Sequence, residues 1–364
     1  MYLKIVKAND KGKYQEEGES VMLMPQLKIT GSSLRTVLAA LLLGCFFAGL
    51  MPAAPALAQG ASPALMDKPP AVAEEKKEEA PGAPTTCGPM ISDTCLPITT
   101  GKFAMQVWWA LSMYPNTFTN NWRQVSIRGD FYTFAMPVKF IYGPTKDLET
   151  YVVVPFILNE VNDVNVAGPN GQTSASYGGI GDITAVVKYN FLPEGTYTPA
   201  LTAVGGVGFP TGHASHLNPG RLGVDAVGTG SFNFITGLNL FKYINPVLVH
   251  GQVWFNSPIN IYKIHGDEGP INVRSREYLN VNLALEYPVA KQWVLLFEVY
   301  STWTWQNLNT VQSFQTPSTV IGILPGIEFL ATDKLSLAAG ASIDLWGKNG
   351  VMKYTPMLTA FYTF

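Results

Sequence analysis

The sequence predicts an all-β fold: a transmembrane antiparallel up-and-down β-barrel of about twelve strands. Three observations carry the prediction. The last eleven residues, Tyr354 to Phe364, alternate in character and stop on an aromatic ring, with Tyr362 two positions earlier. Connections between alternating segments are short and long in turn. The composition is 47% hydrophobic and only 14% charged, yet beyond residue 58 no uncharged apolar run approaches the ~20 residues of a spanning helix. A chain that crosses a membrane without such helices must close a barrel, because an open sheet edge leaves backbone groups unpaired in lipid.

Taken in chain order, residues 1–23 are polar and fit no export signal. Met22 or Met24 is a candidate start, and residues 1–23 read as a start artefact or tail. Residues 24–58 read as a signal peptide. Lys28 and Arg35 precede an uncharged run from Thr36 to Leu50, and Ala56-Leu57-Ala58 supplies the small-x-small pattern that places cleavage after Ala58. Residues 59–99 read as a disordered periplasmic tether, rich in Ala, Pro, Glu and Lys up to about residue 86. Cys87 and Cys95 follow, with seven residues between them, in a segment bound for an oxidising compartment. The expectation is a Cys87–Cys95 disulfide closing a small loop that hangs free rather than plugging the barrel.

The barrel is expected over residues 100–364. Short connections fall at 143–147, 192–197, 242–245, 288–292 and 331–334, and long ones near 115–128, 159–178, 210–228, 258–276 and 305–315. Short periplasmic turns alternating with long outer loops characterise an outer-membrane meander, and an even strand number returns both ends to the periplasm. Facing follows from the two-residue period of a strand. Leu279, Val281, Leu283, Leu285 and Tyr287 oppose Asn280, Asn282, Ala284 and Glu286; Leu358, Tyr362 and Phe364 are expected to face lipid, with Thr359 and Thr363 facing in. Tyr362 and Phe364 are the candidate signal for the barrel assembly machinery. Pro137, Pro155, Pro325 and Pro356 fall inside predicted strands and imply bulges or register irregularities there, or strand bounds that lie elsewhere, since a closed barrel has no free edge to shelter a proline.

The inward parity gathers the candidate site. Lys139, Lys188, His250, Trp254, Glu286, Glu298, Tyr300, Glu328 and Asp344 are expected to line the lumen and the solute path, with Trp108, Glu149 and Asp182 on the same parity. Charges inside a barrel can set solute preference, or can pair with one another and fill it.

Three blocks carry a family resemblance: Gly178-Gly-Ile-Gly-Asp-Ile-Thr-Ala-Val-Val-Lys-Tyr-Asn190, Gly205-Gly-Val-Gly-Phe-Pro-Thr-Gly212 and Gly228-Thr-Gly-Ser-Phe-Asn-Phe234. Together with the turn Tyr142-Gly-Pro-Thr-Lys-Asp-Leu148 before a Val-rich strand ending at Pro155, they resemble the outer-membrane family named for the phenol meta-degradation pathway. The resemblance implies a barrel that acts as a channel for aromatic or other hydrophobic compounds.

The reading is thus an outer-membrane pore for passive diffusion of small hydrophobic or aromatic molecules. Its partners are outer-membrane lipid, the assembly machinery and a small hydrophobic solute. No cofactor or metal is implied, and with no basic excess no nucleic acid is. The alternative is a structural or plugged barrel without transport. A lipid hydrolase ranks lower: His213-Ala-Ser215 has the His-x-Ser spacing of outer-membrane phospholipases, but the Ser-Asn-Gly continuation is missing and the segment falls in a predicted outer loop. His213 and His216 lack a third ligand for a metal.

Overall fold

The computed structural model describes residues 86–164, 168–169, 171–260, 264–266, 269–271, 276–305 and 316–364. The signal peptide, its cleavage after Ala58 and the tether up to residue 85 lie outside the described residues. The strands are β1 (Phe103–Phe118), β2 (Gln124–Ser126), β3 (Asp130–Thr145), β4 (Leu148–Asn162), β5 (Ala175–Ile180), β6 (Ile183–Leu192), β7 (Ala200–Phe209), β8 (Ser231–Ile244), β9 (Val247–Asn260), β10 (Ile264–Gly266), β11 (Gly269–Ile271), β12 (Tyr278–Ala290), β13 (Trp293–Thr304), β14 (Ser318–Leu330), β15 (Leu335–Lys348) and β16 (Val351–Thr363).

The strands pair antiparallel in the order β16-β15-β14-β13-β12-β9-β8-β7-β6-β4-β3-β1, with β5 also on β4, and β1 pairs with β16 to close the ring. Ala104 lies opposite Thr363 and Thr117 opposite Val351 along that seam. With β5 and β6 counted as one interrupted strand, and the short β2, β10 and β11 left out, the circuit has twelve strands among the described residues. Closure removes the unpaired edge that lipid would not tolerate. The turns β3–β4, β8–β9 and β12–β13 are tight, and together with 193–199 and 331–334 they define a short-turn end where both β1 begins and β16 stops.

Alternation in sequence becomes inside and outside, as expected. Val281, Leu283, Leu285, Tyr287, Leu295, Phe297 and Val299 are exposed on the outer face, whereas Asn282, Ala284, Glu286, Glu298 and Tyr300 are buried inside. On β16, Leu358 is 39% exposed and its neighbour Thr359 2%. Aromatic rings gather at both rims. Phe103 stacks on Tyr142, Trp293 packs on Phe329 and Tyr362 meets Phe364 at the short-turn end, while Trp303, Trp305 and Trp346 are exposed towards the other. Two such girdles around an apolar band mark the membrane interfaces of a barrel.

Of the four prolines expected to interrupt strands, one sits at an irregularity; Pro115, Pro144 and Pro288, nearer strand ends, also lie where the register shifts. Phe156 pairs with Ile180 and Val153 with Thr184, so Val154 and Pro155 face three residues, Gly181 to Ile183. That bulge splits β5 from β6, and Gly181 donates its N–H to the Pro155 carbonyl. Pro137 pairs with Pro155, Pro325 with Phe297 and Pro356 with Ala341 without a register shift. The expectation of bulges at those three is corrected: each loses its own N–H donor, and the ladder on either side holds the register.

Candidate functional site: a lumen occupied by residues 86–99

The largest departure from expectation is the segment before β1. It does not hang free. It enters at the short-turn rim, beside a cleft of ≈ 490 Å³ lined by Thr86, Cys87, Lys291, Ser336 and Phe361 among others, and crosses the lower lumen before joining β1. Met90 and Ile91 pack with Val294, Leu296 and Leu324 on one wall. Cys95 packs with Ala200, Phe241 and Leu248, and Ile98 packs beside Ile141 and Tyr151.

The wall recognises this segment mainly through its backbone. Glu328 Oε1 accepts the Cys87 N–H at 2.7 Å. Glu298 accepts four bonds: Met90 N–H at 2.6 Å, Ile91 N–H at 3.0 Å, and the Ser92 N–H and hydroxyl at 2.8 Å each. Gln252 accepts the Asp93 N–H at 2.6 Å and Glu149 the Ile98 N–H at 2.9 Å. Donors meet the carbonyls: Lys188 Nζ and Asn239 Nδ2 on Thr94 at 2.7 and 3.0 Å, Thr202 Oγ1 on Cys95 at 2.7 Å, and Trp108 Nε1 on Met90 at 3.2 Å. Buried backbone groups need such partners, and an irregular segment with Pro89 and Pro97 cannot find them in a sheet ladder.

One side chain of the segment is also held by charge. Asp93 lies 2.8 Å from Lys139 and 3.3 Å from Lys188, and Lys188 reaches Glu149 at 2.8 Å. Lys139 also sits 3.8 Å from the Tyr151 ring centre. Burial pushes the Asp93 carboxyl up, but the two ammonium groups outweigh it and hold it down at about 2. Burial, with Glu328 nearby, raises the Cys87 thiol well above its ordinary value.

The two cysteines are free thiols, which corrects the predicted disulfide. Cys87 belongs to the cluster against β13–β15 and Cys95 to the one against β7–β9. A disulfide needs Cα atoms within about 7 Å, and the segment is stretched between two walls.

The residues expected to line the lumen are brought together inside it, though not around an open bore. Lys139, Lys188, Glu298 and Glu328 hold the segment. His250 Nε2 lies 3.0 Å from Glu286 Oε1, without hydrogen-bond geometry. Higher up, Tyr300 donates to Asp344 Oδ1 at 2.7 Å, and Asp344 Oδ2 accepts the Lys353 N–H at 3.0 Å. Trp254 donates to Asn239 at 2.7 Å. Asn233, Asn256, Asn280 and Thr302 form a hydrogen-bonded row across four neighbouring strands, which the sequence reading did not single out. Asp182 is not in the lumen wall: it accepts from Gly212 N–H, Thr229 N–H and the Thr229 hydroxyl and fixes the long-loop end.

The loop after β7 folds over β4 and β5. Asn159 donates to the Val224 carbonyl at 2.9 Å, Gln172 to that of Gly220 at 2.9 Å, and the Arg221 guanidinium lies 4.7 Å from the Tyr177 ring centre. Within it, Ser215 lies 3.3 Å from His216 rather than bonding His213, whose Nδ1 faces the Asp225 carbonyl. The hydrolase pair is not assembled.

A closed antiparallel barrel, apolar outside, polar within and ringed by aromatics at both rims, is an outer-membrane β-barrel, and its place is the bacterial outer membrane. The chain belongs to the family described as "Putative MetA-pathway of phenol degradation", whose model matches residues 117–358. Among solved structures it is similar to the COG4313 outer membrane channel from Pseudomonas putida F1, at 16% identity and a TM-score of 0.60, over 74% of this chain and 98% of that one. The translocator domain of autotransporter NalP from Neisseria meningitidis aligns at 12% identity and a TM-score of 0.43, over 73% of this chain and 89% of that one. The NanC porin aligns at 6% and 0.42, over 71% and 98%. No curated protein matches the chain.

Proposed function

We propose that the barrel is a passage for small hydrophobic or aromatic molecules across the outer membrane, by passive diffusion. The observation that carries the reading is the run of inward aromatic rings along the lumen, Trp108 bonded to Met90, Trp254 to Asn239 and Tyr300 to Asp344, together with the row of uncharged amides Asn233, Asn256 and Asn280. Aromatic faces give a solute ring somewhere to rest, and the uncharged polar groups set no strong electrostatic barrier. Family membership supports the same class of solute. In this reading residues 24–58 export the chain, residues 59–85 tether it, and Tyr362 and Phe364 present it to the assembly machinery.

A second reading, a plugged barrel without transport, is favoured by one observation: the lower lumen is filled. Uptake of a labelled monoaromatic into liposomes separates the two. The passage reading predicts uptake above protein-free liposomes, reduced several-fold by Trp254→Ala. Uptake equal to the protein-free control supports the plugged reading and sinks the first.

A further inference from the structure

We propose that the lower lumen is a binding site for an extended peptide backbone, that residues 87–98 occupy it reversibly, and that the vacated site is a cation-selective passage. The argument starts from the carboxylates. Glu298 and Glu328 are buried, and none of the ion pairs among the described residues involves them. Their partners include the N–H groups of Cys87, Met90, Ile91 and Ser92 and the Ser92 hydroxyl. A buried carboxylate needs donors, and water supplies donors as the segment does. Departure of the segment therefore exchanges one set of hydrogen bonds for another instead of stranding charge. The same holds for Lys188, Asn239 and Thr202, whose carbonyl partners water can replace.

The segment is also hinged for departure. Gly101, at φ +73 beside β1, has open space where a Cβ would stand, and Gly88, at φ +85, marks the other end. Both conformations are ones that glycine adopts without strain. The barrel closes through β1 and β16 without help from the segment.

Vacating the site changes what the wall presents. At that level Glu149, Glu286, Glu298 and Glu328 face inward against Lys139 and Lys188. Four carboxylates outnumber these two ammonium groups and the His250 imidazole beside Glu286 taken together, and a ring of surplus negative charge favours cations. Asp93 is the keystone of the closed form, because it is the segment's one charge on the two lysines.

The test uses the full chain in planar bilayers under a tenfold potassium chloride gradient. Wild type is expected to be closed most of the time. Asp93→Asn is expected to raise the open fraction about tenfold, with a reversal potential on the cation side. Adding Glu298→Gln and Glu328→Gln should shift that potential towards zero or the anion side. Ser92→Pro, which deletes one N–H to Glu298 without touching the ion pairs, should also raise the open fraction. Open fractions equal to wild type in both Asp93→Asn and Ser92→Pro, with the barrels folded by gel mobility, would overturn the proposal. So would an anion-selective open state. Aromatic uptake is scored separately, so its absence counts against the passage reading alone.

Discussion

Replacing Lys188 by Met tests the account where it is most quantitative. Lys188 is fully buried, 0% exposed, and its ammonium group lies 2.8 Å from Glu149, 3.3 Å from Asp93 and 2.7 Å from the Thr94 carbonyl. Removing one member of a buried charge cluster costs about 3–5 kcal/mol, because the partners stay buried and uncompensated. Lys139 remains 2.8 Å from Asp93, which argues for the lower figure, about 3 kcal/mol. The loss falls on the docked segment, since Asp93 and Glu149 regain water once it leaves. At about 1.4 kcal/mol per factor of ten, the docked-to-free ratio falls roughly a hundredfold. Cys95, 0% exposed when docked, reports it: its labelling rate by a water-soluble maleimide should rise by about that factor, because exposure by local opening tracks the open population. Lys146→Met is the control. Its 4.0 Å contact with Asp147 is at an exposed turn, and such pairs contribute about 0–1 kcal/mol. Labelling of Lys188→Met within about threefold of wild type, or equal acceleration in Lys146→Met, would refute the reasoning.

Further outcomes follow from the same geometry. Asp93 is held at about 2, below the ordinary value of about 3.9, so its contribution to docking is complete above the ordinary value and lost as pH falls towards the docked one. The ratio of Cys95 labelling in Asp93→Asn to that in wild type, followed in acid with a low-pH thiol reagent, should therefore stay constant down to about pH 4 and fall towards one below it. Leu283→Arg, on the outer face of β12, should cost about 2–4 kcal/mol in vesicle unfolding if it lies near the midplane, while inward Asn282→Ser should cost less. Gly322→Ala would drive a methyl into the Tyr300 ring and so break its bond to Asp344. A loss of about 1–3 kcal/mol is expected, with Phe substituted at 300 losing the same hydrogen bond but not the packing. Finally, thiol titration should count no reactive Cys87 or Cys95 in the folded protein and both after denaturation, with no reductant needed.

The barrel was legible because period two is written in every strand. Glu286, Glu298, Tyr300, Glu328 and Asp344 were placed inward from alternation alone, and Leu358 and Thr359 fall on opposite faces as read. Alternation says nothing about what fills the inside. Residues 86–99 were misread because their prolines suppress any strand pattern and the acidic tether before them sets the tone. One signal was available: from Cys87 the composition turns apolar, with Met90, Ile91, Cys95, Leu96 and Ile98, and holds a single charge, Asp93. Two inward lysines, 139 and 188, stood ready for it. The disulfide failed for a related reason. Spacing permits a bond between Cys87 and Cys95, but tertiary contacts with opposite walls outweigh it. Which strand prolines bulge was also unreadable, since that depends on the partner strand: Val154 and Pro155 face the three residues Gly181 to Ile183, whereas Pro325 faces Phe297 in an unbroken ladder.

The central claim is that residues 87–98 lie inside the barrel with their amides held by Glu149, Glu298, Glu328 and Gln252. Amide hydrogen exchange on the full-length protein in lipid tests it directly. The account predicts that Met90, Ile91, Ser92, Asp93 and Ile98 exchange far more slowly than an unstructured chain, and that Glu298→Gln speeds Met90 to Ser92 while leaving Ile98 the least affected. Exchange of all five at the rate of a free peptide, with the strand amides protected, would contradict it.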